Sequence, residues 1–236
     1  MSERLEPAVL GELLGLLAHD LRNPLSALHS NLGFLKSVLP SGDQDVIEAV
    51  DDSVVSCEGL AHIIDNIDLI GRAFRDRTDD RSPGAEIVPL IGEVVAASAR
   101  MAESHGVRIE LEPLPHENPL SRGSRDALER ALSNLLRNSV QHSPSNAAVK
   151  VSGRRDQKSF VVTIADSGTR LPSSTGALAF TAVGQVQAKS VPNGRYSRGL
   201  GLYCAGLAAA AGRAEVRIAA PPAGMTNAFE LAIELR

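Results

Sequence analysis

Apolar residues recur every three or four positions from about Leu5 to Leu39. Leu13, Leu14, Leu17, Leu21, Leu25, Leu28, Leu32 and Leu35 form a single stripe. That spacing predicts a long helix burying one face. Pro40-Ser41-Gly42-Asp43 stops the pattern, as a helix-breaking turn should. A second stripe follows in Val46, Ile47, Val50, Val54, Leu60, Ile63, Ile64, Ile67 and Ile70. Two amphipathic helices joined by a short turn predict an antiparallel hairpin. One hairpin cannot cover both apolar faces, so the pattern also predicts a homodimer in which two copies pair as a four-helix bundle.

The charged run Arg72–Gly84 has no period and ends in Ser-Pro-Gly, which predicts an interdomain linker at 75–84 between a first domain over 1–74 and a second over 85–236. In the second, Ile87–Met101 and Asp126–His142 have helical spacing, and Leu200–Ala211 is an Ala-rich helix. Val107–Leu111 alternates as a strand. Ala148–Val151 and Ser159–Ala165 predict a hairpin across a polar turn, and Glu215–Ala219 and Ala228–Leu235 predict two more strands. Helices interspersed with mostly antiparallel strands give an α/β sandwich, so the whole chain reads as α+β: a helical hairpin followed by that sandwich.

Aromatic residues make up only 3% of the chain, with no Trp. The core must therefore be built from Leu, Val, Ile and Ala, and a nucleic-acid or carbohydrate binder that relies on stacking is disfavoured. Cys57 and Cys204 lie far apart without metal or redox spacing and read as buried thiols in a reducing, cytoplasmic setting. The N-terminal segment MSERLEPAV lacks a signal-peptide pattern, and no run is long and apolar enough to span a membrane. A signal is therefore expected to arrive through an upstream partner protein or through these two domains themselves. Residues 1–80 carry 15 acids against 6 Lys/Arg, whereas residues 81–236 carry 13 against 18. The basic second half suits a polyanionic ligand.

Candidate chemistry begins on the first stripe, at His19-Asp20-Leu21-Arg22-Asn23-Pro24. Pro24 removes the amide that would bond to the carbonyl of residue 20, so a bend is expected beside His19. This hexapeptide resembles the phospho-accepting box of sensor histidine kinases, His-acid-x-x-Thr/Asn-Pro. Three later segments resemble the ATP-binding domain shared by those kinases and the gyrase-type ATPases. Asp126–Ser143 resembles the asparagine box, which implies that Asn138 is a magnesium ligand with Asn134 beside it and His142 near the nucleotide. An amide oxygen suits that hard cation. Val161–Gly168 resembles the Asp-x-Gly box, which implies that Asp166 accepts from the adenine amino group and Gly168 turns the backbone beneath the base. Arg198–Tyr203 resembles the second glycine box, which implies that Gly199 and Gly201, helped by Arg198, meet the phosphates. Three positions depart from the pattern: Gln141 replaces a lysine, and Arg170 and Ser197 replace glycines. Leu171–Tyr196 would be a mobile lid.

The resemblance implies a protein-histidine kinase that uses ATP and Mg2+. His19 would be the nucleophile and Asp20 its proton acceptor, and the phosphoryl group would pass to an aspartate of a response-regulator receiver domain. Asn23 stands where the family orients water for phosphatase action on that regulator. Two rivals remain open at this point, a histidine phosphotransferase with a degenerate ATP site and a non-catalytic scaffold. A gyrase-like ATPase is disfavoured because nothing beyond the nucleotide domain is there to couple to hydrolysis.

Overall fold

A computed structural model describes residues 7–38, 44–74, 83–171, 176–190 and 200–236. The chain divides into two compact units, Met1–Thr78 and Asp79–Arg236. The charged run at 75–82 lies outside the described residues.

The first unit is a helical hairpin of α1 (Pro7–Val38) and α2 (Gln44–Phe74). Pro24 sits inside α1 without ending it: one backbone bond is lost, and the rest of a 32-residue helix carries on through the gap. The seam between the helices uses only part of the leucine stripe. Gly11, Ala18 and Leu25 are buried at seven-residue intervals and Leu32 half-buried, and across from them Cys57, Ile64 and Gly71 are buried at the same interval. A seven-residue repeat keeps one line of contact facing the partner helix. The helices come close enough at Gly71 that a Cβ there would lie 2.9 Å from the Gly11 carbonyl oxygen, so only glycine fits. Most of the predicted stripe is left outside: Leu13, Leu17, Leu21, Leu28 and Leu35 are exposed, as are Leu16 and Phe34 at 61% and 64%.

The second unit has its own core. A five-stranded sheet runs β2-β4-β5-β7-β6, from β2 (Arg108–Leu111), β4 (Ala148–Asp156), β5 (Ser159–Asp166), β6 (Ala214–Ala219) and β7 (Asn227–Glu234). Pairing is antiparallel except between β2 and β4. A small ribbon joins β1 (Gly84–Glu86) to β3 (Leu120–Ser124). Helices α3 (Ile87–Ala97), α5 (Arg125–His142) and α7 (Gly201–Ala211) pack with the sheet. Leu90, Leu128, Leu135, Phe160, Phe229 and Leu231 are fully buried. At about 25 cal/mol per Å2 of apolar area, such side chains each contribute roughly 2–3 kcal/mol.

The helix expected over Ile87–Met101 is broken at Ser98, where α3 ends and α4 (Ala99–Ser104) begins. Ser98 Oγ donates to the Val94 carbonyl at 2.8 Å, the back-bonding through which serine competes with a helix ladder. α5 starts where the sequence predicts, because Ser124 takes extended geometry and its Oγ accepts from Ala127 N. Part of the segment read as a lid is ordered: a 3-10 turn over Gly176–Phe180 leads into α6 (Ala182–Ser190). Gln185 of α6 is buried and its Nε2 donates to the Ala179 carbonyl at 2.7 Å.

Candidate active site

α1 carries His19 on an open surface. Its side chain is 71% exposed, and Nδ1 lies 3.3 Å from Asp20 Oδ1. In the tautomer with its proton on Nδ1, that proton faces the carboxylate and Nε2 keeps its lone pair open to solvent. Ala18, the preceding residue, is buried in the seam, which fixes the turn of helix on which His19 stands. Asn23 is exposed four residues further on, and Arg22 Nη2 donates to Asp65 Oδ1 of α2 at 3.0 Å.

In the second unit the candidate residues gather at one end of the sheet. Asp166 closes β5 and is fully buried. Its Oδ1 accepts from Gly168 N at 2.9 Å and from Asn227 Nδ2 at 2.9 Å. β5 and β7 pair so that Asp166 and Asn227 stand directly opposite. Asn227 also donates to the Thr169 carbonyl at 3.1 Å and accepts from Leu171 N at 2.9 Å. It thereby ties the turn after β5 to the start of β7. The sequence reading missed it, since only the register of two strands far apart in sequence brings it to Asp166. The signal available was a polar residue opening an otherwise apolar final strand.

Gly168 is needed for a reason other than the expected one. Its backbone lies outside the left-handed region, but a Cβ would sit 2.2 Å from the His142 carbonyl oxygen. The glycine lets the turn press against the C-terminal end of α5, and so brings the Asp-x-Gly turn and the asparagine helix together. Asn138 lies one turn before His142 on the same helix face and is buried; Asn134, a turn earlier, is buried and donates to the Arg130 carbonyl at 2.9 Å. Arg170 is exposed and also outside the left-handed region, so the absence of glycine there brings no backbone strain.

That strain appears instead at Leu200, which caps α7 at φ +58° and ψ +33°. A branched residue in this conformation costs on the order of 1–2 kcal/mol. Gly201 opens α7 and is buried; Ser197, Arg198 and Gly199 lie outside the described residues. Burial pushes the Cys204 thiol up to about 12. It also raises Tyr203, with a smaller contribution from Cys204. Both side chains stay neutral at physiological pH, so this end of α7 offers amides rather than side-chain charge.

Among the described residues no group of three or more His, Cys, Asp or Glu could hold a metal. Magnesium bound mostly by phosphates and water needs few protein ligands, and the side-chain amide of Asn138 is the candidate donor here. A narrow gap among Ile91, Val94, Leu132, Leu136, Val151 and Ile164 is apolar throughout and offers nothing to a nucleotide.

Comparison with known proteins bears on the second unit above all. Residues 123–236 match the family of histidine kinase-, DNA gyrase B- and HSP90-like ATPases. Sporulation kinase A of Bacillus subtilis is 25% identical over 173 residues, covering 72% of this chain and 27% of its own length. The alginate biosynthesis sensor protein KinB of Pseudomonas aeruginosa is 24% identical over 189 residues, covering 78% and 30%. Full-length ShkA, solved in complex with AMPPNP, superposes with a TM-score of 0.62 at 20% identity, covering 96% of this chain and 46% of that one.

The second unit is thus an ATP-binding domain of that ATPase type, and the chain as a whole is similar to sensor histidine kinases in sequence and fold. It spans about a quarter to a third of the length of these two curated relatives. Among the described residues, no helix is long and apolar enough to cross a membrane.

Proposed function

We propose that this kinase core autophosphorylates on His19 with Mg-ATP and passes the phosphoryl group to an aspartate of a response-regulator receiver domain. The observation that carries the proposal is the exposed imidazole with Asp20 at Nδ1. His19 Nε2 attacks the γ-phosphorus; the P–N bond forms as the bond to the β,γ-bridging oxygen breaks and ADP leaves. The Nδ1 proton passes to Asp20, which keeps the ring from carrying positive charge against the developing bond.

The ATP-binding domain, taken as residues 85–236, holds the nucleotide. Asp166 accepts from the adenine amino group, and Asn227 and Gly168 keep its carboxylate aimed. Gly199, Gly201 and Arg198 face the phosphates, His142 lies near the nucleotide, and Asn138 supplies an amide oxygen to magnesium with Asn134 bracing the helix beside it. Magnesium, when bound, neutralises charge on the transferring group. Residues 1–74 form a homodimer through the leucines left open by the hairpin, with 75–84 as the linker. Asn23 orients water for hydrolysis of the phosphorylated regulator. The core works in the cytoplasm, where ATP is present and the buried Cys57 and Cys204 stay reduced.

Incubation with labelled ATP and magnesium tests the reading: acid-labile, alkali-stable label is expected on the intact chain. Calorimetry should give a Kd of roughly tens to hundreds of micromolar, about 5–6 kcal/mol. ATP binding absent at millimolar nucleotide would leave a histidine phosphotransferase in its place.

A further inference from the structure

The helical hairpin is strongly acidic, and His19 stands among its carboxylates. Asp20 touches the ring, and Asp65 of α2 reaches α1 one turn away. A phosphoryl group arriving on His19 adds close to two negative charges to this surface. Among the described residues of the hairpin the cations are Arg22, Lys36 and Arg72. Lys36 is engaged with Asp51, and Arg72 with Asp68 at 2.7 Å, each far along its helix from His19. Arg22 is different: three residues after His19, it shares that helix face.

Its present partner holds it loosely. A single contact, Nη2 to Asp65 Oδ1, joins two side chains that are each about half exposed. Such a pair is screened by water and contributes little. A guanidinium binds a phosphoryl group through two parallel N–H···O bonds, a stronger and more directional arrangement.

We propose that Arg22 grips the phosphoryl group as it transfers to His19, exchanging Asp65 for it. This rests on the reading of His19 as the acceptor. Arg22 is then a catalytic residue, since it touches the moving group. Asp65 competes with the phosphoryl group for the guanidinium, holding it while the histidine is bare. Loading of His19 leaves Asp65 without its cation, so α2 changes its exposed charge when α1 is phosphorylated.

The test is the initial rate of autophosphorylation of the full chain with labelled ATP and magnesium, over a range of ATP concentrations. Arg22→Gln should lower the rate at saturating ATP by roughly tenfold or more while KM for ATP stays within about twofold. Arg22→Lys should recover a substantial part of that rate. Asp65→Asn, which frees the guanidinium, should match or exceed the unaltered chain. Equal losses in Arg22→Gln and Asp65→Asn, without recovery by lysine, would overturn the proposal and leave the pair as a strut between helices. So would an Arg22→Gln chain labelled at the unaltered rate. If Arg22→Gln fails to fold, Arg22→Lys and Asp65→Asn still decide: both falling together refutes the exchange. Absence of label on the unaltered chain refutes the acceptor reading itself, and the exchange with it.

Discussion

The two units of this chain treat their apolar residues in opposite ways. The ATP-binding domain turns Phe160, Phe229, Leu128, Leu135 and Leu231 wholly inward and is closed on itself. The hairpin buries a thin line of small and medium residues, Gly11, Ala18, Leu25, Cys57, Ile64 and Gly71, and leaves its leucines in water. One unit is finished as a single chain; the other leaves the apolar surface that the proposed dimer would cover. A site for binding a small molecule gains from a closed, pre-formed frame, whereas an acceptor histidine must be reachable by several proteins in turn.

The largest effect expected from separating the two is at His19. His19→Ala should abolish all phosphoryl label while leaving calorimetric ATP binding unchanged, because the substitution touches only the open unit. Label surviving in that variant would move the acceptor elsewhere. Next comes Leu28→Glu. In a lone hairpin Leu28 is 53% exposed, and the change would be neutral within about 0.5 kcal/mol. In a four-helix bundle it buries an unpaired charge at several kcal/mol. Light scattering should show a dimer for the unaltered chain and a monomer for the variant; a monomer in both would sink the interface.

Asp166→Asn probes the closed unit. It replaces a buried carboxylate that accepts from Gly168 and Asn227, and should weaken ATP binding by roughly tenfold, about 1.4 kcal/mol. Asn227→Ala should weaken it less and lower the melting temperature, since it unties the turn after β5. Unchanged affinity in both variants would detach the adenine from this corner.

The smallest effect concerns the thiols. Burial raises Cys204 from 9.0 to about 12, so the folded state favours the protonated form. The associated stability is complete below pH 9, the unfolded value, and is lost as pH climbs toward 12. At about pH 8 the native chain should therefore resist alkylation at Cys204 while the denatured chain reacts quickly, as mass spectrometry would reveal.

The closed unit was the more legible of the two in its elements, and the less legible in its site. α5 and the strands β4, β5, β6 and β7 fall close to where periodicity places them, because each carries a clean apolar repeat. β3 (LSRGS) and β1 (GAE) have no such repeat and were invisible; pairing across the fold makes them strands. Asn227 was invisible for a related reason, as its role exists only once β5 and β7 are in register. In the hairpin the stripe shows which residues need covering but not where the helices meet: the seam takes only Leu25 and Leu32 from it and is drawn closer by Gly11 and Ala18, residues too small to register in a hydrophobic pattern. Small residues decide where two helices can approach, and large ones decide what must be covered afterwards.

That open row of leucines brings mass action into the fold. A surface that must be covered gains stability in proportion to the logarithm of whatever covers it, so the hairpin has no fixed stability of its own. Diluted, the chain is a sound ATP-binding domain attached to a marginal pair of helices. Concentrated, it would be one assembly on the proposed homodimer. Abundance would then set how much of the protein could receive a phosphoryl group at the proposed acceptor.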